Sequence, residues 1–326
     1  MSSSKLKFTA EQAKKIYFEM LLTRRFEEKC AQLYGMGYIA GFLHLYMGQE
    51  AIAAGFNHLK QKQDSHITSY RCHAHALLQG ELDPKQVMSE LTGKGIGSSK
   101  GKGGSMHIYS KKNNFFGGNG IVGAQVPLGA GLAFAHKYNK DNGVCFAYMG
   151  DGALPQGQVY EAFNMASLWK LPALFIIENN QYSMGTSLER THANTDLSIR
   201  GTVFNIPGEK IDGMNILEVI EKGKKALDHV RSGKGPYLLE ILTYRFRGHS
   251  MSDPQKYRTK EEVADIREKR DPITHFEHYV IDNKTLKAAD IAEINEKVKL
   301  IIKEVEEAAT TSKEPEASEL WTDVVL

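Results

Sequence analysis

Long apolar runs are missing from this chain of 326 residues. None approaches the roughly 18 that a membrane-spanning helix requires, so no membrane span is expected. Cysteine is scarce: Cys30, Cys72 and Cys145 are scattered, with neither metal-ligand spacing nor even pairing. They read as reduced structural thiols in a reducing compartment. Neither sign of charge dominates. The formal net charge is +2 and no long basic run occurs, so nucleic acid is not an expected partner. No glycine is followed at the required spacing by Lys-Ser/Thr, which argues against a nucleotide-binding phosphate loop. The first eight residues, Met1 to Phe8, carry neither a signal-peptide core nor an arginine-rich amphipathic leader. A bacterial cytoplasm is the expected location, with the mitochondrial matrix as the alternative for a mature organellar chain. Internal repeats and an interdomain linker are lacking too, so residues 1–326 are expected to form one domain.

What is present is ordinary globular composition, 41% hydrophobic and 25% charged, in a chain long enough to bury a substantial core. The most informative pattern is Gly150-Asp151-Gly152 followed, after 26 intervening residues, by Asn179-Asn180. Residues 144–149 read as a buried strand running into Gly150, 156–169 as a helix, and 171–178 as a second buried strand ending on the Asn pair. If these strands are adjacent and parallel, they lie about 5 Å apart and Asp151 and Asn180 emerge side by side at the carboxyl edge of the sheet. Two oxygen ligands facing one point suit a hard divalent cation such as Mg2+ that bridges to substrate phosphates. The flanking glycines allow a diphosphate to approach the backbone.

Elsewhere, Thr9 with Gln12 reads as a capping box opening an N-terminal helical extension, about residues 8–40, that packs outside the sheet. Residues 83–93 are helical in pattern, 94–104 are a Gly-, Ser- and Lys-rich surface loop, and 117–123 are a glycine-rich turn before a helix over 124–138. A helix containing 223–230 leads into a strand over 236–244. Helices alternating with buried strands imply an α/β fold with an open, mostly parallel sheet and helices on both faces. Within a C-terminal helical region, about residues 260–310, Ile291, Ile294, Val298, Ile301, Ile302 and Val305 recur at helical spacing. Beyond Thr310 a polar tail precedes Leu320, Trp321, Val324, Val325 and Leu326, and such a tail is expected to be disordered unless those residues dock.

Three blocks carry a family resemblance: GDGALPQGQ at 150–158, ENNQYSMGTS at 178–187 and YRFRGHSMSDP at 244–254. Together they resemble the E1 α subunits of pyruvate dehydrogenase, within the thiamine diphosphate-dependent 2-oxoacid dehydrogenases, and the likeness runs from about Phe18 to Asp271. The resemblance implies the thiamine diphosphate-binding fold and oxidative decarboxylation of pyruvate, with the acetyl group passed to a lipoyl-bearing E2 acyltransferase. It implies Mg2+ held by Asp151, Asn180 and the carbonyl of Tyr182, and a diphosphate met by Tyr70, Arg71 and His249 with Gly152 and Ala153 lining it. Gly120 and Val122 would offer backbone groups to the aminopyrimidine, Met184 would pack on the cofactor, and His44, in HLYMGQE at 44–50, would face the substrate end. His44 and His249 are therefore the candidate catalytic side chains.

The resemblance also implies an absence. The glutamate that activates the cofactor comes from a separate β subunit in this family, and neither Glu50 nor Glu161 replaces it by motif, so an α2β2 heterotetramer is expected. Residues 186–207 and 249–257 are irregular and polar, and both are expected to order on cofactor binding. They contain Ser187 and Ser250, which match phosphorylation serines of eukaryotic relatives; a loop hydrogen bond is the simpler role for Ser250. Taken singly, His44, His73, His75 and His107 also read as structural histidines, Arg71 as a paired arginine, Met184 as core filler and Asn179 as a strand-end cap. Acetoin dehydrogenase and branched-chain 2-oxoacid dehydrogenase α subunits, and a non-catalytic phosphate-binding scaffold, are the alternative functions.

Overall fold

The computed structural model describes residues 6–324, so Val325 and Leu326 of the apolar tail end lie outside the described residues. Among the described residues eight strands occur in chain order: β1 (Ser65–Ser69), β2 (Phe115–Asn119), β3 (Cys145–Gly150), β4 (Ala173–Asn179), β5 (Tyr182–Ser183), β6 (Thr186–Ser187), β7 (Gly208–Asp212) and β8 (Tyr237–Leu242). Six of them form one sheet in the order β2-β1-β3-β4-β8-β7, every neighbouring pair parallel. β5 and β6 form a small antiparallel hairpin just beyond β4.

The apolar runs at 144–149 and 171–178 become strands because both faces of the sheet are covered, and such strands read as continuous hydrophobic stretches. All seven residues of β4 are buried. Successive side chains of β3 alternate between two cores, as strand geometry demands. Ala147 and Met149 pack with Val126 and Ala133 of α5 (Gln125–Asn139) and Val159 and Phe163 of α6 (Gly157–Leu168). Phe146 and Tyr148 pack with Ile52 and Phe56 of α2 (Glu50–Leu59) and Val219 and Leu227 of α8 (Ile216–Arg231) on the other side.

A third apolar cluster lies among helices beyond the sheet. It joins α1 (Ala10–Gly35), α3 (His73–Leu78), α4 (Pro84–Leu91), α10 (Pro272–Asp282) and α11 (Ala288–Thr311). The capping box opens α1 as its sequence requires: the Gln12 amide donates to Thr9 Oγ1 at 3.2 Å and the Thr9 amide to Gln12 Oε1 at 3.0 Å. Ile291, Ile294, Val298 and Val305 give α11 its buried stripe against α1 and α4. No helix among the described residues is long and apolar enough to cross a membrane.

Three segments differ from their sequence reading, the first being 186–207, read as irregular, which holds β6, a short helix over Leu188–Thr191 and a 3-10 helix over Leu197–Phe204. Part of the glycine-rich stretch is strand, since Gly117 and Gly118 lie within β2. The glycines serve packing here: a Cβ on Gly117 would lie 2.2 Å from the Tyr109 ring, and one on Gly118 2.4 Å from the Met106 carbonyl oxygen. The C-terminal tail is held by charge and not by its apolar residues. A 3-10 turn, Ala317–Trp321, brings Glu319 and Asp323 to Lys100 and Lys102 of the Gly-, Ser- and Lys-rich loop, while Leu320 and Trp321 stay exposed.

Candidate functional site

The connection from β1 leads outward to β2, whereas that from β3 leads the opposite way to β4. A crevice therefore opens at the carboxyl ends of β1 and β3, the usual place for a ligand in an open parallel sheet. A cavity of about 360 Å³ occupies it. Ser69, Tyr70 and Arg71 line it from the end of β1, and Gly150, Asp151, Gly152 and Ala153 from the end of β3. Glu178 and Asn180 come from the end of β4, Tyr182, Ser183 and Met184 from the hairpin, and Arg245 and His249 from the segment after β8.

Strand register places Asp151 beside the Asn pair: Gly150 lies opposite Glu178. Asp151 is 2% exposed, and Ser183 Oγ donates to its Oδ2 at 3.0 Å. Burial raises its carboxyl above the usual range, opposed by the Ser183 hydrogen bond. Asn180 Nδ2 donates to Gln49 Oε1 at 3.2 Å, while its buried Oδ1 has no hydrogen-bond partner among the described residues. Asn179 turns away into structure: its Nδ2 donates to Glu240 Oε1 at 2.8 Å and its Oδ1 accepts from the Gln181 amide at 3.0 Å. The Tyr182 carbonyl, at the start of the hairpin, accepts from Arg245 Nη1 at 3.1 Å.

Two buried guanidinium groups face the same space. Arg71 donates to the carbonyls of Leu45 at 2.6 Å and His249 at 2.8 Å, and burial, with Arg245 adding repulsion, pushes its pKa down to about 10. Arg245 donates to the Met184 carbonyl at 2.8 Å and to Tyr257 Oη at 3.2 Å. Among the described residues neither forms a salt bridge with a carboxylate, unlike the equally buried Arg24, which pairs with Glu50 and Asp271. A buried cation without a counter-ion is costly, and an anionic ligand removes that cost.

His249 also lines the cavity; burial first, then Arg71 and Arg245, lowers its pKa to about 4, so its imidazole is neutral near pH 7. His44 is not in the lining. It lies behind, its ring 4.4 Å from that of Tyr70 and 5.1 Å from that of His249, lowered to about 2 chiefly by burial and with Nδ1 unpartnered. Val122 reaches the cavity, while Gly120 stands outside it, where an added Cβ would lie 3.4 Å from His107 Nε2. Met184 is 67% exposed, so it is not core filler, and its φ of +54° places it in the left-handed region. Such a conformation costs a methionine about 1 kcal/mol or more and tends to persist at sites of use. Ser250 is buried, with its Oγ 3.0 Å from Ser252 Oγ; Ser187 is half-buried at the start of α7 (Leu188–Thr191).

Sequence reasoning missed Gln49, Gln125, Glu178 and Arg245 in the lining. Glu178 is held by Tyr46 Oη and, at 3.2 Å, by His75 Nε2. Gln49, Glu178 and Arg245 sit inside the quoted sequence blocks, as polar side chains among residues that burial claims, and that is the signal that could have found them. Glu50 is locked to Arg24, and Glu161 is an exposed residue of α6, so Asp151 and Glu178 are the acidic groups of the cavity.

The donors fit a metal diphosphate: a buried carboxylate and a partnerless amide oxygen for the cation, and two carboxylate-free arginines for the anion. A fold and a crevice of this kind define an α/β protein that binds a phosphorylated ligand at its sheet edge. The chain belongs to the dehydrogenase E1 component family, whose description matches residues 18–318. It is 54% identical over 320 residues to a pyruvate dehydrogenase E1 component subunit alpha of Rickettsia felis, covering 98% of each chain. It is 52% identical over 319 residues to the Rhizobium meliloti subunit, covering 98% of this chain and 91% of that one. A mitochondrial counterpart from Dictyostelium discoideum is 50% identical over 311 residues, 95% of this chain and 81% of that one.

Proposed function

We propose that this chain is the α subunit of the E1 component of a pyruvate dehydrogenase complex, acting in a bacterial cytoplasm with thiamine diphosphate and Mg2+. The observation that carries the reading is one cavity containing both the Asp151 carboxylate beside the partnerless Asn180 Oδ1 and the two arginines that lack carboxylate partners. When bound, thiamine diphosphate supplies the carbon nucleophile and the electron sink for loss of CO2 from pyruvate.

The residues of the chain bind and orient. Asp151, Asn180 and the Tyr182 carbonyl hold Mg2+, Tyr70, Arg71 and His249 meet the diphosphate, and Gly152 and Ala153 let it approach. Val122 serves the aminopyrimidine end from the lining and Gly120 from just outside it, and Met184 packs on the cofactor from its exposed hairpin turn. His44, neutral and with a free Nδ1, supports the substrate end from behind Tyr70 and His249. Ser250 serves as a loop hydrogen-bonding group; a phosphate there would bring about two negative charges beside His249 and disturb the diphosphate site.

Neither acidic group of the cavity is free to serve as the glutamate that activates the cofactor: Asp151 would hold the cation, and Glu178 is tied to Tyr46 and His75. That glutamate is supplied by a β subunit in an α2β2 assembly, and the acetyl group passes to the lipoyl group of E2. An exposed apolar face supports the assembly: Leu128, Phe134 and Tyr138 of α5 and Leu168 and Trp169 at the end of α6 are exposed, as is Val122 in the cavity lining. The test is reduction of an artificial electron acceptor by the chain recovered with its partner, offered pyruvate, a branched 2-oxoacid or acetoin, with and without cofactor and Mg2+. Pyruvate-dependent turnover that fails in Asn180→Ala and when the partner is stripped away is expected. Preference for another substrate refutes the assignment to pyruvate, and full activity of the single chain refutes the two-subunit reading.

A further inference from the structure

The Asn180 amide can satisfy its hydrogen bond in two ways. Either Nδ2 donates to its neighbour and the oxygen is left for the cavity, or the oxygen accepts and an NH2 is left instead. A cation tolerates only the first. In the structure Nδ2 donates to Gln49 Oε1 at 3.2 Å, and Asn180 Oδ1 is the atom left without a partner. Gln49 is fully buried and lines the same cavity, and its own Nε2 likewise has no partner.

Gln49 is unusually well fixed in place. It precedes α2, its backbone amide donates to the Tyr46 carbonyl at 3.1 Å, and its predecessor is Gly48 at φ +98°. A Cβ on Gly48 would stand 2.2 Å from the Tyr244 carbonyl oxygen, so only glycine lets the chain pass there. The Gly48 amide is held in turn by the Glu50 carboxylate at 3.0 and 3.1 Å, and Glu50 is anchored to Arg24. The side chain that receives Asn180 Nδ2 therefore stands on a backbone pinned from both sides.

We infer that Gln49 is a positioning residue: by accepting from Asn180 Nδ2 it holds the Asn180 carbonyl oxygen toward the divalent cation and keeps the amide from turning over. This rests on the proposed cation site and adds to it the group that orients one of its ligands. Partners that orient a metal ligand typically govern metal affinity by ten- to a hundredfold.

The test uses Mn2+ as an electron-spin-resonance probe, titrated into the partner-bound chain in the presence of thiamine diphosphate. Gln49→Leu, which removes the acceptor, is expected to weaken Mn2+ binding at least about tenfold, and Gln49→Glu, which keeps an acceptor, to stay within about threefold of the parent. In an Asn180→Asp background, where both side-chain oxygens are equivalent and orientation no longer matters, Gln49→Leu should have a much smaller effect; this non-additivity separates orientation from a folding defect. An unchanged affinity in Gln49→Leu overturns the inference. So does an equal loss in Gln49→Glu, or a loss that persists undiminished in the Asn180→Asp background. Failure of the underlying site is distinguishable, because then Asn180→Ala itself would leave Mn2+ binding unchanged.

Discussion

Replacing Arg71 with methionine should leave the cofactor-free protein nearly as stable as before and yet cripple cofactor binding. Burial, with Arg245 adding repulsion, lowers the Arg71 pKa to about 10. At about 1.36 kcal/mol for each pKa unit, that lowering means that the charge costs about 3 kcal/mol where it sits. Against this, the guanidinium satisfies two carbonyls, of Leu45 and His249, each worth about 1–2 kcal/mol if left unpaired in a buried place. The two effects nearly cancel, so Arg71→Met is expected to unfold within about 1 kcal/mol of the parent. With thiamine diphosphate and Mg2+ the balance changes, because losing one partner of a buried charge-assisted contact costs about 3 kcal/mol, or roughly a hundredfold in Kd. Thermal or denaturant unfolding with and without cofactor, together with a fluorescence titration of cofactor, measures both quantities. A variant that loses 3 kcal/mol without cofactor and binds it with unchanged Kd would refute the reasoning and make Arg71 a structural strut.

Three further outcomes follow from the same geometry. Gly48→Ala should destabilise the protein by about 3 kcal/mol or prevent its folding, since the new Cβ meets the Tyr244 carbonyl oxygen in a left-handed backbone; chemical denaturation reads the change. His249 has its folded pKa lowered to about 4, so its contribution to stability is present above the unfolded value near 6.5 and is lost as pH falls from there toward 4. His249→Gln should therefore flatten the fall in melting temperature of the cofactor-free protein across that window, and an identical pH profile would contradict the assignment. Leu128→Glu with Phe134→Glu should alter the stability of the isolated chain by no more than about 0.5 kcal/mol, since both sites are exposed, yet abolish co-purification of the partner subunit.

Much of the sheet was legible because its strands are buried on both faces. The runs at 144–149 and 171–178 show as apolar text, and their structural forms, β3 and β4, start at Cys145 and, just past Pro172, at Ala173. The strand β2 was not legible. Its glycines read as a turn, and what makes them strand is pairing with β1, some 50 residues earlier, while Tyr109 and Met106 leave no room there for side chains. The tail was read through its apolar residues, whereas its contacts are ionic and depend on lysines some 220 positions away in sequence.

The site divides the same way. Sequence alone put Asp151 and Asn180 together on the condition that the strands flanking the crossover helix are adjacent and parallel, and the pairing of β3 with β4 meets that condition. It also carried the family, through three ordered blocks whose residue types suit a metal diphosphate. Only the tertiary structure decided which polar side chains surround that pair. Gln49 lies 131 positions from Asn180, and Arg71 lies 178 positions from the His249 carbonyl it holds. Periodicity reports which face of an element is buried, but not which other element meets it, and the orientation of the Asn180 amide and the lack of a counter-ion for Arg71 both arise from such meetings.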